Sequence, residues 1–282
     1  MLGYPAAPQT MSWLNGVVPA WAMLDFDDFN RLRRDPPDDG FALTISSTIS
    51  SPVATTAMRF LQLLGDGGKL TATGNLARAF VSSFIDRIVW PNFYPEEAYR
   101  LHRVINEQDC LPLHAVRIFC DRAGLIRRYK GELRLTKVGK RFVKADDIGE
   151  LNRALFLAAG WNTNLSYFDC HQLSPWPQSD IGLALWCLSV VDHTWQTPES
   201  LARSSTVPIN GIIEATSLFD LAGSIFEARI LRILTWFGLL DVERIPHPES
   251  KYLMDRRYRK TAQFDEFLSF DVAFDVADER AH

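Results

Sequence analysis

Arg117, Arg122, Arg127, Arg128, Lys130, Arg134 and Lys137 lie close together in the chain. The chemistry open to such a group is neutralisation of phosphate, which dominates nucleic-acid affinity. They belong to a longer run from Arg117 to Lys144, completed by Lys140, Arg141 and Lys144, in which ten basic residues face two acidic ones, Asp121 and Glu132. The run is net +8 inside a chain of formal charge −4. Arg117 and Arg122, on a short helix, are expected to reach base edges or phosphates of double-stranded DNA. Lys130, at a hairpin tip, is expected at the adjacent minor groove or backbone. The other reading is a solvated or protein-facing surface, with Asp25, Asp27, Asp28, Asp38 and Asp39 available as counter-charges. Glu96, Glu97 and Glu107, just upstream, would repel phosphate if they faced it. A second basic cluster, Arg256-Arg257 with Arg259-Lys260, is expected to face water.

Catalytic chemistry is not legible. Asp25, Asp27 and Asp28 lack the central glycine and closing glutamate of a calcium loop. Gly65-Asp66-Gly67-Gly68 lacks the lysine and hydroxyl of a phosphate-cradling loop and ends a helix instead of opening one. Asp169-Cys170-His171 and Asp192-His193 place their groups side by side in sequence, where helical neighbours do not face each other. Cys110, Cys120, Cys170 and Cys187 have no paired spacing, so buried free thiols are expected, without a disulfide framework or a zinc site. The chain therefore reads as non-enzymatic, with no cofactor and no metal.

The elements that must position the basic run follow from hydrophobic periodicity. Ala57, Phe60, Leu61 and Leu64 recur at the helical period of about 3.6, and the glycines after them end that helix. Further helices are expected over Ala72 to Val89, Glu96 to Glu107 and Pro112 to Ala123. Then the period changes to that of strands: Leu125 to Tyr129 and Glu132 to Leu135 flank a tight turn at Lys130-Gly131. Downstream come helices at Leu151 to Ala159, at the all-apolar Ile181 to Val191, at Pro198 to Arg203 with Thr197 as cap, and at Ile225 to Phe237. In the last of these Arg229 and Arg232 are expected to point outward. Trp161, Trp176, Trp186, Trp195 and Trp236 suit a tryptophan-rich core. Phe270, Val272, Phe274 and Val276 alternate with Asp271, Ala273 and Asp275 as a final strand. That strand closes the body, or pairs with a partner, or lays its carboxylates over the basic hairpin.

An internal echo links Lys69-Leu70-Thr71-Ala72-Thr73-Gly74 with Arg134-Leu135-Thr136-Lys137-Val138-Gly139, each threonine placed to cap the next helix. A looser third copy runs from Ile225 through Leu239-Leu240-Asp241-Val242 to Arg259-Lys260-Thr261. Apolar residues at 47% and charged residues at 23% are those of a globular protein, and 282 residues leave room for about two domains. Ile181 to Val191 is too short to cross a bilayer, which takes about 20 apolar residues. Met1 to Gln9 lacks the basic start and apolar stretch of an export signal. A cytoplasmic location without membrane contact is expected.

The stretch His114-Ala115-Val116-Arg117-Ile118-Phe119-Cys120-Asp121-Arg122-Ala123-Gly124-Leu125-Ile126-Arg127-Arg128, the hairpin, and Leu135-Thr136-Lys137-Val138-Gly139 resemble the recognition helix and wing of bacterial winged-helix transcription regulators, over about Glu96 to Lys144. More broadly, Lys69 to about Pro208 is similar to the Ri-plasmid open-reading-frame-three-like helical module. The residues that carry this are Lys69-Leu70-Thr71, Gly74-Asn75-Leu76, Leu155-Phe156, Trp161-Asn162, and Trp195 before Pro198. This second resemblance implies a fold but no activity. The expected architecture is mainly α with small β wings (α+β), as tandem winged-helix-like units around a helical core. It divides into an irregular cap (1–50), a first helical region with a winged-helix-like unit (51–147) and a second such region with the C-terminal strand (148–282). The resemblance implies a nucleic-acid-binding regulator or accessory factor, dimeric on paired half-sites. Because the same fold also docks proteins, an interaction module of the defence, inhibitor or toxin–antitoxin type, binding no nucleic acid, stays open beside it.

Overall fold

A computed structural model describes residues 13–33, 42–65, 67–169, 175–209, 221–247 and 250–272, with 250–253 described for the backbone alone. It is an α+β fold: helices form the core and the strands form small sheets. The chain divides into two compact units, one of residues 46–163 with 235–238, the other of residues 1–45, 164–234 and 239–282.

In the 46–163 unit the helix Pro52–Leu64 starts where expected. Ser51 caps it, its hydroxyl accepting from the Ala54 amide, and Pro52 occupies the first turn, where its missing N–H costs nothing. The inward face, including Phe60 and Leu61, is fully buried, and Phe60 meets Phe80 and Phe84 edge-on at 5.8 Å. Ser51 also donates to Asn152 Oδ1 at 2.5 Å and Asn152 donates to the Ile49 carbonyl, which ties Pro52–Leu64 to the helix Ile148–Leu157.

Between them run the strand Gly68–Lys69, the helices Arg78–Phe84, Pro95–Leu101 and Leu111–Arg122, the strands Ile126–Tyr129 and Glu132–Leu135, and the helix Lys137–Ala145. The strands make one antiparallel sheet with Glu132–Leu135 in the middle.

Two expected helices are shorter than periodicity suggested. The Ala72–Val89 helix begins only at Arg78. Before it, the Thr71 amide donates to the Asn75 carbonyl, Gly74 takes a positive φ of 83°, and Leu70 bridges Leu76, so the chain turns back on itself. The Glu96–Glu107 helix stops at Leu101, and Glu107 opens a separate 3-10 turn.

The other unit repeats part of that order, with one helix fewer among the described residues before its hairpin. The helix Ile181–Ser189 is followed by a single bridge from Gln196 to Tyr258, the helix Pro198–Ser205, and a helical run that begins at Leu221. The hairpin of Leu240–His247 with Ser250–Lys260 and the helix Ala262–Phe267 complete it. The repeat thus lies in the elements, and the looser third copy marks it. The closer echo marks no repeated unit: Lys69 and Arg134 belong to strands of one sheet. Thr136 does cap the next helix, accepting from the Gly139 amide, whereas Thr71 accepts from the Asn75 amide within a turn.

The core of this unit is rich in tryptophan as expected, with Trp13, Trp176 and Trp186 buried, while Trp195 is half-buried under the Arg259 guanidinium at 4.5 Å. Apolar groups from the N-terminal region join it: Leu24, Phe29 and Leu32 pack with Leu183 and Trp186. The final strand Leu268–Phe270 pairs antiparallel with Leu43–Ile45, closing the body of this unit. Residues 273–282, which would carry the rest of the alternation, lie outside the described residues, as do residues 34–41 with Asp38 and Asp39, and Cys170-His171.

Candidate functional site

The hairpin brings most of the basic run onto one surface. Its register pairs Arg127 with Arg134 and Tyr129 with Glu132, and Lys69 also pairs with Glu132. Because strand side chains alternate, these five share the outer face, while Ile126, Leu133 and Leu135 are buried on the inner face. Lys130 and Gly131 at the tip take positive φ values of 48° and 76°, the backbone of a two-residue hairpin turn.

The Tyr129 ring, 42% exposed, is the centre of the surface. Three cations lie over it: Arg127 at 5.6 Å, Lys130 at 5.4 Å and Arg134 at 5.2 Å from its centroid. Only Arg134 has a carboxylate partner there, Glu132 at 2.8 Å. Arg127 and Lys130 make no ion pair with a described residue. Placing Arg127 directly opposite Arg134 opposes two like charges across a strand pair, which destabilises a sheet. The face is therefore better suited to an anionic ligand than to the stability of the free protein.

Arg128 points the other way from Arg127. Its guanidinium lies over Gly74, whose positive φ of 83° is what calls for glycine in the turn beneath it. Arg122 and Lys137 are exposed, at the end of one helix and the start of the next.

Arg117 is elsewhere. Expected at a nucleic-acid surface, it is buried, because its guanidinium pairs with the fully buried Glu107 and donates to the Gly74 carbonyl at 2.7 Å. Glu107, which would repel phosphate if it faced the ligand, is internal. It accepts from the Leu76 amide at 2.6 Å and lies 3.1 Å from His114 Nδ1. Burial alone would raise its pKa, but the His114 and Leu76 hydrogen bonds and the Arg117 charge hold the carboxyl below its ordinary value. Together Glu107 and Arg117 fix the 71–76 turn to the helix Leu111–Arg122. That helix has little surface to offer a groove: Leu111, Asp121 and Arg122 are exposed, and His114 and Ile118 half-buried.

Three groups outside the expected site join it. Lys69 and Tyr129 complete the outer face of the sheet. Lys140, Arg141 and Lys144 form with Lys137 a stripe at i, i+3, i+4 and i+7, one face of a helix, and all four are exposed. That spacing is legible in the sequence. The helix bearing it packs close enough that a Cβ on Gly139 would lie 2.1 Å from the Leu125 carbonyl oxygen.

Residues 49–148 match the family model of the Y4jL N-terminal domain. The match covers roughly a third of the chain and lies within the 46–163 unit. It takes in the whole hairpin, the Glu107–Arg117 pair and the basic stripe, and it carries no winged-helix regulator assignment. Comparison with curated proteins and with solved structures finds no match. The Y4jL N-terminal domain is an uncharacterised family.

The hairpin of the other unit differs in charge. Arg256 pairs with Glu227, Arg259 with Asp241 at 3.0 Å, and Lys260 donates to the Ser189 carbonyl and lies 3.4 Å from Asp265. The cluster expected to face water is in large part neutralised by its own unit. Arg229, also expected outward, is buried on Asp169 at 2.6 Å, and Arg232 donates to the Phe168 carbonyl.

Burial pushes the Cys110 thiol up to about 11 and the Cys187 thiol up to about 12, and Cys120 is raised as well, so these three are poor nucleophiles. Among the described residues no group of three or more His, Cys, Asp or Glu is placed to hold a metal, and no helix is long and apolar enough to cross a membrane.

Proposed function

We propose that the protein is a non-enzymatic nucleic-acid-binding regulator or accessory factor whose 46–163 unit works as a winged helix, with the hairpin as the principal contact. The observation that carries this is the outer sheet face, where Lys69, Arg127, Lys130 and Arg134 surround an exposed tyrosine with Glu132 as the one carboxylate among them. The order helix, strand, three helices, then strand, turn, strand supports a winged helix with one added helix before the hairpin. The ligand in this reading is duplex DNA held by its phosphates. The helix Leu111–Arg122 has one exposed cation beside one exposed carboxylate, so direct base reading has little part in it. Exchanging Arg127 and Arg128 for glutamate is expected to abolish binding of a fluorescent duplex at low salt, measured by anisotropy, with the melting temperature retained. Binding indifferent to the reversal would end the proposal.

A second reading, a protein-docking module, is favoured by one feature: Tyr94, Leu101, Val104 and Leu111 are all more than 40% exposed within a short stretch of the same unit. A wild-type protein that fails to bind duplex DNA even at low salt would favour it.

A further inference from the structure

The 46–163 unit holds a cavity of about 220 Å³ beside the helix Arg78–Phe84, lined by none of the basic hairpin residues. Its floor is apolar: Val81, Ile85 and Ile105 are buried. Its rim is formed by Arg78, Arg103, His102, Ser82 and Tyr99, whose hydroxyl donates to Asp86 at 3.3 Å.

Arg78 is held in place. Its Nε donates to Asn106 Oδ1 at 3.0 Å, and Asn106 is fixed in turn by donating its backbone amide and side-chain amide to Asp109 at 2.8 and 2.9 Å. The two terminal nitrogens of Arg78 make no hydrogen bond with a described residue, nor does the Arg103 guanidinium. Two guanidinium groups beside an apolar floor match a carboxylate joined to an apolar body, since arginine binds carboxylates through paired hydrogen bonds. Size narrows the class further. Apolar cavities of about 150 Å³ take up benzene, whereas sites for drug-sized molecules run from about 300 Å³ upward.

We infer that this cavity binds a small organic carboxylate with an aryl or short acyl body, the carboxylate on Arg78 and Arg103 and the body over Val81, Ile85 and Ile105. Nothing in this inference depends on nucleic-acid binding.

The test is titration of the full-length protein with benzoate, benzamide and inorganic phosphate, followed by calorimetry. Benzoate is expected to bind saturably, benzamide at least about tenfold more weakly, since it lacks the charge that strengthens a hydrogen bond to arginine, and phosphate not at all. Arg103→Gln is expected to weaken benzoate about tenfold. Ser82→Trp, at an exposed rim position, is expected to block it with the melting temperature unchanged. Failure of benzoate to saturate overturns the inference. So does benzamide or phosphate binding as well as benzoate, or benzoate binding that ignores Ser82→Trp and Arg103→Gln.

Discussion

Glu107→Ala is expected to destabilise the protein by about 3–5 kcal/mol, because it strands the Arg117 charge in a buried site. It also removes the acceptor of the Leu76 amide and the partner of His114. Urea unfolding measures the loss, and a cost under about 1 kcal/mol would show that the pair has no such role. The carboxyl's lowered pKa sets the pH dependence. Folding favours its ionised form, so the contribution is complete above the ordinary glutamate value of 4.5 and is lost as pH falls through the lower folded value. Stability of the wild type should therefore fall more steeply below pH 4.5 than that of Glu107→Gln. Detaching the 71–76 turn should also free Arg128 from its seat over Gly74 while leaving the outer sheet face intact.

Asp169→Ala is expected to cost a similar 3–5 kcal/mol in the other unit, where the side chains of Arg229 and Asp169 are 1% and 2% exposed. Arg229 also donates to the Trp176 carbonyl at 2.5 Å, which holds it in place when the carboxylate is removed and leaves its charge uncompensated. Replacing both partners, as Arg229→Met with Asp169→Leu, should restore most of the loss, since exchanging a buried ion pair for apolar side chains is often near neutral. A double-mutant cycle by chemical denaturation decides it. Additive losses would contradict the pairing.

Period and turn chemistry made the hairpin legible: alternation on either side of Lys130-Gly131 placed both strands and the tip. The same alternation puts Arg127, Tyr129 and Arg134 on one face. Arg117 was not legible, because its helical position says nothing of a carboxylate ten residues upstream that the 3-10 turn at Glu107 brings beneath it. Arg229 failed for a different reason. Phe226, Ile230, Ile233 and Leu234 are inward as expected, but Ile225, Leu231 and Trp236 are buried too, so the run is covered on most of its faces and Arg229 is held inside by Asp169. The Ala72–Val89 helix was overestimated because apolar spacing does not reveal the positive φ at Gly74 that bends the chain before Arg78. The stripe Lys137, Lys140, Arg141, Lys144 was in plain view but needs the helix boundary at Thr136 to become a face.

The salt dependence of duplex binding separates phosphate neutralisation by the hairpin from a protein-docking role. Phosphate contacts from Lys69, Arg127, Lys130 and Arg134 predict that log K falls linearly with log salt at a slope of about −4, about 0.9 per phosphate. Affinity should change little when the DNA sequence is scrambled. A flat salt response, or no binding to duplex DNA at the lowest salt, would rule out phosphate neutralisation by the hairpin.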